Sequence, residues 1–337
     1  MHASPVEHAL RAEGVRFLPR DFVETADGLL FAVVNAGIEA GRVLSFLRYQ
    51  RIGDRLHKFD TATANAFLAG AHPALLYRST AHDAALHGVP VEQITQHYRP
   101  TQRLASLLAS DQTHDDCPSS CSASDVWRER LLRLTQIISG GPAIPNWLGV
   151  TGSLLVGAQR EGSDIDLVCY GRQDFTQARE RLLQAQATGL LQPLPDALWQ
   201  DAYQRRGCSL SWDEYLWHER RKGNKFACDG VKVDLSLIDA PAPATQWAGT
   251  KIERAVVQCR VSDDTHAFDY PACYEVEHAQ LKRIVCYTPT YFGQARTGEW
   301  IEAAGWIERD TQGQQRLIVG TSREAAGEFI RVLHTSS

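Results

Sequence analysis

The sequence predicts an α+β protein built from three consecutive parts. Helical and β-prone runs alternate as far as about residue 245, whereas the runs that follow are almost all short and β-prone. Polar and proline-containing stretches, SDQTHDDCPSSCSASD at 110–125 and PAPA at 241–244, separate these regions. We therefore expect a small α/β N-terminal module (1–108), a core of mixed sheet with flanking helices (126–245) and a barrel-like, β-rich C-terminal module (250–337).

The N-terminal module is predicted from two apolar runs and two helical patterns. The runs LLFAVV and RVLSFLRY flank the turn-rich NAGIEAG and predict paired strands. Thr61 to Leu68 begins with a capping threonine and predicts a helix. The stretch at 91–108, VEQITQHYRPTQRLASLL, has a helical pattern on both sides of Pro100, which breaks it.

The core contains alternating helix and strand patterns. Residues 126–138 and 175–187 have apolar side chains at helical spacing. The run IDLVCY has the apolar, β-branched character of a buried strand, and GVKVDLSLI at 230–238 alternates like a strand with two different faces. The segment 250–337 contains the runs AVVQCRV, RIVCYT, EWIEAAGWIE, RLIVGT and EFIRVL, which predict a small antiparallel barrel or sheet.

Composition restricts the classes of partner. The net charge of −5 argues against a protein that coats nucleic acid by bulk electrostatics, so any nucleic-acid contact must be local. The basic run HERRKGNK at 218–225 is the best local candidate, although most charge runs are solvated faces. The sequence has no apolar run of membrane-spanning length and no signal-peptide pattern, so we expect a cytoplasmic protein without a membrane partner.

The eight cysteines are scattered along the chain, and a cytoplasmic location predicts reduced thiols. His114, Cys117 and Cys121 are conceivable zinc ligands. No further pair of cysteines or histidines completes a tetrahedral set around them, so we do not expect structural zinc.

One block carries a pattern with a chemical reason. Gly152 and Ser153 open a predicted helix, and Asp164 and Asp166 follow on the next strand, where alternation places both carboxylates on one face. Two adjacent carboxylates need a cation, and hard oxygen ligands select Mg²⁺ or Mn²⁺. Gly152 allows the backbone to approach a phosphate closely, and the serine and helix N-terminal amides can donate to phosphate oxygens. The pattern therefore suits a metal-bound nucleotide.

The block GSLLVGAQREGSDIDLV resembles the signature of the polymerase-β nucleotidyltransferase superfamily. Many members place a third carboxylate on a later strand, and Asp234 in VKVDLSLI matches that position. The resemblance implies a polymerase-β-type core, two metal ions (Mg²⁺ or Mn²⁺) and transfer of a nucleoside monophosphate from a nucleoside triphosphate, with release of pyrophosphate. It implies that Asp164, Asp166 and Asp234 are the catalytic and metal-binding residues.

Elsewhere in the chain, stretches such as YRP at 98–100 and GQARTGEW at 293–300 are similar to uncharacterised archaeal and bacterial proteins that are only predicted to be nucleotidyltransferases. That similarity names no substrate. The expected nucleotide-binding residues are Gly152, Ser153, Ser163, Arg221 and Lys225.

Several alternatives stay open. An Asp-x-Asp pair can lie at a strand edge without metal, and Asp229 or Asp239 could replace Asp234, although both look like turn or strand-end residues. Arg221, Lys222 and Lys225 could screen pyrophosphate or simply be exposed. The aromatic residues of the preceding helical stretch could stack a base or form core; they are Trp212, Tyr215 and Trp217.

An RNA 3′ end, a protein hydroxyl and a small molecule all fit the motif as acceptor, but the extra modules suggest a large one, such as single-stranded RNA or tRNA. The C-terminal module mixes basic and aromatic residues of the kind that small barrels use to hold single strands: Arg283, Tyr287, Tyr291, Phe292, Arg296 and Trp300. These aromatic residues could equally be core. The rival function is therefore a nucleic-acid-binding protein with an inactive transferase core.

Overall fold

The computed structural model describes residues 7–8, 11, 17–109, 123–240, 249–322 and 325–333. They form an α+β structure with several sheets, as the sequence predicts. The zinc hypothesis at His114, Cys117 and Cys121 falls outside these residues. Within the part of the chain that the structure describes, no helix is long and apolar enough to cross a membrane.

The strands are numbered in chain order. They are β1 (Phe22–Thr25), β2 (Leu29–Val33), β3 (Arg42–Ile52), β4 (Arg55–Lys58), β5 (Leu76–Ser79), β6 (Ala84–Pro90), β7 (Ile94–Tyr98), β8 (Leu148–Thr151), β9 (Ile165–Tyr170), β10 (Lys225–Cys228), β11 (Val231–Ile238), β12 (Gly249–Asp263), β13 (Ala272–Glu277), β14 (Leu281–Cys286), β15 (Trp300–Asp310), β16 (Gln315–Val319) and β17 (Phe329–Val332).

The helices are numbered in the same way. They are α1 (Thr61–Ala71), α2 (Pro100–Ala109), α3 (Ala123–Ser139), α4 (Gly152–Val156), α5 (Arg172–Ala187), α6 (Asp196–Arg206) and α7 (Trp212–Lys222). Short 3₁₀ turns lie at Pro73–Leu75, Val91–Gln93 and Pro289–Tyr291.

The described residues divide into two compact units that are interleaved along the chain. The first unit takes residues from Met1–Asp60, Val89–Leu194 and Gly223–Asp239, and the second from Thr61–Gly88, Pro195–Lys222 and Ala240–Ser337. This division differs from the three consecutive modules that the sequence predicts, because the chain passes between the units several times.

The first unit contains two sheets. In one, β3, β2, β1 and β7 lie side by side in this order, with β4 paired to β3. In the other, the order is β10-β11-β9-β8. The strands β9 and β11 are parallel, whereas β8 and β10 run antiparallel to their neighbours. Helix α5 connects β9 towards β11 and packs on both strands, so this is a mixed sheet with flanking helices.

The second unit is built around a closed sheet. Its strands follow the order β12-β13-β14-β16-β15, and β12 also pairs with β15, which closes a five-stranded barrel to which β17 adds at β15. The inward residues of β15, such as Ile301 and Ala303, are fully buried. Within the same unit β5 and β6 form an antiparallel hairpin.

Two details correct the sequence-based expectations. The segment at 91–98 is not an α-helix, because Val91–Gln93 is a 3₁₀ turn and ITQHY forms β7, which pairs with β1; the α-helix begins only at Pro100. The C-terminal sheet is not wholly antiparallel, since β14 and β16 pair in parallel. The predicted strands in LLFAVV, RVLSFLRY, IDLVCY and GVKVDLSLI are confirmed.

Candidate functional site: an acidic cluster bridged by lysine

The two central strands of the mixed sheet place the predicted carboxylates side by side. Asp166 on β9 and Asp234 on β11 are direct partners in the parallel register. Asp164 lies immediately before β9, two residues from Asp166. The neighbours of Asp234, Val233 and Leu235, are buried on the opposite face. Strand alternation therefore directs all three acids to one face of the first unit, as the sequence predicts.

Two independent features of the turn between β8 and α4 require glycine at position 152. Its backbone φ of +65° lies in the left-handed region that favours glycine. Thr151, the preceding residue, pairs with Asp166 across β8 and β9. A Cβ atom at Gly152 would clash with Asp166 Oδ2. The absence of a side chain at Gly152 is therefore what makes room for the Asp166 carboxylate.

Lys232 is the central cation of the cluster. Its Nζ atom lies 2.8 Å from Asp164 Oδ2 and 2.7 Å from Asp234 Oδ2, and its side chain is almost completely buried. Lys225 approaches from β10, with Nζ 3.9 Å from Asp234 Oδ1. Because β10 pairs Lys225 with Asp234 directly, the sheet register itself brings this lysine to the acids.

The charges of the cluster shift each other's ionisation. Burial raises the pKa of Asp166, and the negative charge of Asp234 raises it further, against smaller opposing effects of Lys232 and Arg20. Burial lowers the pKa of Lys232, but the three carboxylates outweigh it, so the net shift is upward. The ammonium group of Lys232 is therefore held charged, whereas burial is the main reason that the pKa of Asp166 is raised.

Arg20 is a further cation near Asp166. It is one of the non-glycine residues with positive φ, +78°, and its carbonyl oxygen accepts a 2.7 Å hydrogen bond from Thr151 Oγ1. The positive charge of Arg20 lowers the pKa of Asp166. A left-handed arginine is strained, and such strain persists where the surrounding contacts hold it.

Sequence reasoning missed Lys232 and Arg20. The signal for Lys232 was present in VKVDL, because residues two apart on a strand share a face, so Lys232 and Asp234 had to lie together. Arg20 is far from the motif in sequence, and only the packing of the N-terminal strands against the core brings it near Asp166.

The predicted phosphate-binding residues have different surroundings. Ser153 lies in the short helix α4, directly after Gly152, and is half-buried. Ser163 forms a turn with Arg160, in which the Arg160 amide donates to Ser163 Oγ at 2.9 Å. Its hydroxyl oxygen thus already accepts a local hydrogen bond, whereas Lys225 lies next to Asp234 across the sheet.

Arg221 belongs to the second unit. It forms an ion pair of 2.5 Å with Glu299 and lies over the Trp217 ring at 4.4 Å. Of the three aromatic residues in this region, Tyr215 is buried and Trp212 stacks on it, whereas Trp217 is 40% exposed. The core interpretation is therefore confirmed for Tyr215.

The carboxylate oxygens of Asp164, Asp166 and Asp234 are ligands that suit a hard cation, although the three side chains do not form a preformed metal site. Among the described residues, no three His, Cys, Asp or Glu side chains are grouped closely enough to hold a metal ion. The Lys232 ammonium group lies instead between Asp164 and Asp234. Three carboxylates surround one bridging ammonium group, and carboxylate oxygens are ligands that Mg²⁺ and Mn²⁺ prefer.

The fold and the site together define an α+β protein with an acidic, lysine-bridged cluster on a mixed sheet. The chain belongs to the same family as the uncharacterized protein MJ1086 of Methanocaldococcus jannaschii. The two are 32% identical over 343 residues, which cover 93% of this chain and 98% of the relative. No family model and no solved structure matches the chain.

Proposed function

We propose that the protein is a metal-dependent nucleotidyltransferase with a polymerase-β-type core. The observation that carries the proposal is the pairing of Asp166 with Asp234 on parallel strands, beside the glycine turn that leaves room for the Asp166 carboxylate. The resemblance of GSLLVGAQREGSDIDLV to that superfamily supports it. The substrates are a nucleoside triphosphate and an acceptor hydroxyl, and pyrophosphate is released.

In this proposal Asp164, Asp166 and Asp234 hold Mg²⁺ or Mn²⁺, which supplies neutralisation of charge on the phosphates. Gly152 and Ser153 position the β and γ phosphates, because the backbone at Gly152 has no side chain to keep them away. Asp234 would act at the acceptor side of the site, where it would hold the ion that lowers the pKa of the acceptor hydroxyl and would take the hydroxyl proton. Two ammonium groups, from Lys232 and Lys225, lie within 4 Å of its carboxylate oxygens.

Lys232 has two possible partners in this scheme. Without nucleotide its ammonium group links Asp164 and Asp234. With Asp164 and Asp234 holding a metal ion, Lys232 would instead be able to bind a phosphate oxygen of the nucleotide as a charged donor.

The second candidate function is a nucleic-acid-binding protein with an inactive core. The position of Lys232 favours it, because a permanent ammonium group between Asp164 and Asp234 could replace a metal ion structurally. In that case the cluster stabilises the sheet and performs no chemistry.

Incorporation of labelled nucleotide distinguishes the two candidates. Each of the four nucleoside triphosphates is offered with Mg²⁺ or Mn²⁺ to the full-length protein in the presence of total RNA, total protein or small-molecule extract. The proposal predicts metal-dependent label in one acceptor fraction and release of pyrophosphate. Absence of both with every nucleotide and acceptor would favour the inactive core.

A further inference from the structure

The barrel of the second unit has one face on which a strand is exposed along most of its length. On β12 the residues Arg254, Val256, Gln258 and Arg260 point outward and are exposed, Val256 to 63%, whereas Cys259 is buried. A valine on a strand normally points towards the core, so the exposure of Val256 is unusual. The outward side of β12 is therefore an open surface, and the exposed Trp300 and the half-buried Trp306 of β15 lie beside it.

Arginine and tryptophan are paired across these two strands. Arg254 is the partner of Trp306, and Arg260 is the partner of Trp300. The guanidinium carbon of Arg254 lies 5.4 Å from the Trp306 ring centroid, which is a cation–π contact. Trp300 is 49% exposed. The two pairs are six residues apart, which is about 20 Å along the strands.

A third pair extends the same surface. Arg221 of α7 lies over Trp217 at 4.4 Å and pairs with Glu299, the residue before Trp300. Arg296 donates from Nη2 to the Arg221 carbonyl oxygen at 3.1 Å. We call the surface formed by Trp217, Arg221, Arg254, Arg260, Arg296, Trp300 and Trp306 the arginine–tryptophan face.

The face has more positive than negative charge available to a ligand. Glu299 is bound to Arg221, and Glu302 is bound to Arg331. Arg254 and Arg296, by contrast, have no carboxylate within ion-pair distance among the residues that the structure describes. Arg260 has only a loose, exposed pair of 4.0 Å with Glu277, which contributes little.

We propose that the arginine–tryptophan face binds single-stranded RNA. Exposed indole rings can stack on unpaired bases, and the guanidinium groups beside them can contact the phosphates between those bases. A duplex offers no free base faces, so it fits the tryptophans poorly. The choice of RNA as the strand rests on the proposed function, in which RNA supplies the acceptor hydroxyl, whereas binding itself needs neither nucleotide nor metal.

This assignment differs in part from the sequence-based one. Tyr291 and Phe292 are core, and Arg283 is half-buried and paired with Glu275 at 3.4 Å, so these residues are poor ligand contacts. Only Arg296 and Trp300 of the predicted set lie on the face. Some five-stranded barrels bind oligonucleotides across their second and third strands. Arg283, on the third strand of this barrel, therefore provides a control for that other side.

The test is fluorescence anisotropy of a labelled single-stranded RNA of mixed sequence, titrated with full-length protein at several salt concentrations without nucleotide or metal. The wild type should bind with an affinity that falls as salt rises, because phosphate contacts release counterions. Arg254→Ala with Arg260→Ala should reduce the slope of log affinity against log salt by about 1.4, at about 0.7 for each phosphate contact. Trp300→Ala should weaken binding about tenfold with the slope unchanged.

Three comparisons decide the outcome. Arg283→Ala should bind as the wild type does, and the matching RNA duplex should bind more weakly than the single strand. Asp166→Asn should also bind as the wild type does, because it alters only the first unit's acidic cluster. Salt-independent or absent RNA binding would overturn the proposal, as would a loss in Arg283→Ala equal to that of the double variant. Thermal unfolding confirms that each variant is folded.

Discussion

Asp166 and Asp234 face each other as direct partners of the parallel strands β9 and β11. Side chains of such partners stand next to each other on one face of a sheet, so their charges repel at short range. Lys232 relieves part of this repulsion by linking Asp234 to Asp164. The proposed function depends on this carboxylate pair, because the repulsion between the two charges favours the binding of a cation and also explains why Lys232 lies beside them.

Asp234→Asn separates binding from turnover. The carboxylate is proposed to act at the acceptor side of the site. The variant should therefore keep its nucleotide affinity within a few-fold of the wild type, while its turnover falls by about 100-fold or more. Such a fall is equivalent to the several kcal/mol that charge stabilisation of this kind supplies. Equilibrium nucleotide binding and steady-state incorporation measure the two effects. Weaker nucleotide binding with normal turnover would contradict the role given to Asp234.

Lys232→Met tests the ion pairs that link Lys232 to Asp164 and Asp234. Removing one partner of a buried ion pair leaves carboxylates without compensation, so the variant should lose about 3 kcal/mol of stability at neutral pH. Mg²⁺ should restore more of the melting temperature in Lys232→Met than in the wild type, because the ion can take the place of the lost ammonium group.

Lys282→Met provides the matched control, because Lys282 is an exposed lysine on β14. It should melt as the wild type does, with and without Mg²⁺. An equal Mg²⁺ effect in Lys232→Met and the wild type would show that no metal ion competes with Lys232 for the carboxylates.

Gly152→Ala tests the room left for Asp166. Alanine at this position suffers both the left-handed backbone, about 1 kcal/mol, and a clash with Asp166 Oδ2. Gly157→Ala is the control, since Gly157 has a similar φ of +74° and no atom near an added Cβ. Urea unfolding should therefore show a larger loss for Gly152→Ala. Equal losses in the two variants would mean that the clash at Asp166 is relieved without cost.

The buried histidines predict an acid-sensitive stability. Burial lowers the pKa of His218 from 6.5 to about 4, and that of His87 likewise. The unfolded chain therefore binds more protons between these pH values, so stability falls as pH decreases from about 6.5 to about 4 and changes no further below that for these groups. Each shift corresponds to roughly 3 kcal/mol.

His218→Gln should flatten this part of the curve of unfolding free energy against pH, while lowering stability at neutral pH through the lost packing. The ring of His218 accepts a hydrogen bond from the Val332 amide, which glutamine replaces imperfectly. His57→Gln, at an exposed position, should leave the curve unchanged. A pH dependence in His218→Gln identical to that of the wild type would contradict the assignment.

Local patterns predicted much of the fold and part of the candidate site. The alternation of apolar and polar residues in VKVDLSLI predicted both that the segment is a strand and that Asp234 faces away from Val233 and Leu235. This was possible because a period of two is a property of the strand itself. Residues 91–98 were assigned wrongly to a helix, because ITQHY is also compatible with one, and its pairing with β1 depends on residues about 70 positions away.

The interleaved units and the contribution of Arg20 were not predictable from local sequence, because they depend on contacts between distant segments. The same holds for the aromatic residues of the barrel. Local sequence does not tell the buried Tyr291 from the exposed Trp300, since each is followed directly by a large apolar residue, Phe292 or Ile301.

The binding of Mn²⁺ in the presence of a non-hydrolysable nucleoside triphosphate tests the central claim most directly, with free Mn²⁺ counted by its electron paramagnetic resonance signal. The account predicts nucleotide-dependent Mn²⁺ binding by the wild type and its loss in Asp164→Asn and Asp166→Asn, because each substitution removes a ligand charge and keeps the side-chain volume. Asp229→Asn, at an exposed turn where asparagine tolerates the φ of +48°, should bind as the wild type does. Equal Mn²⁺ binding by the wild type and both site variants, or none by any of them, would contradict the account.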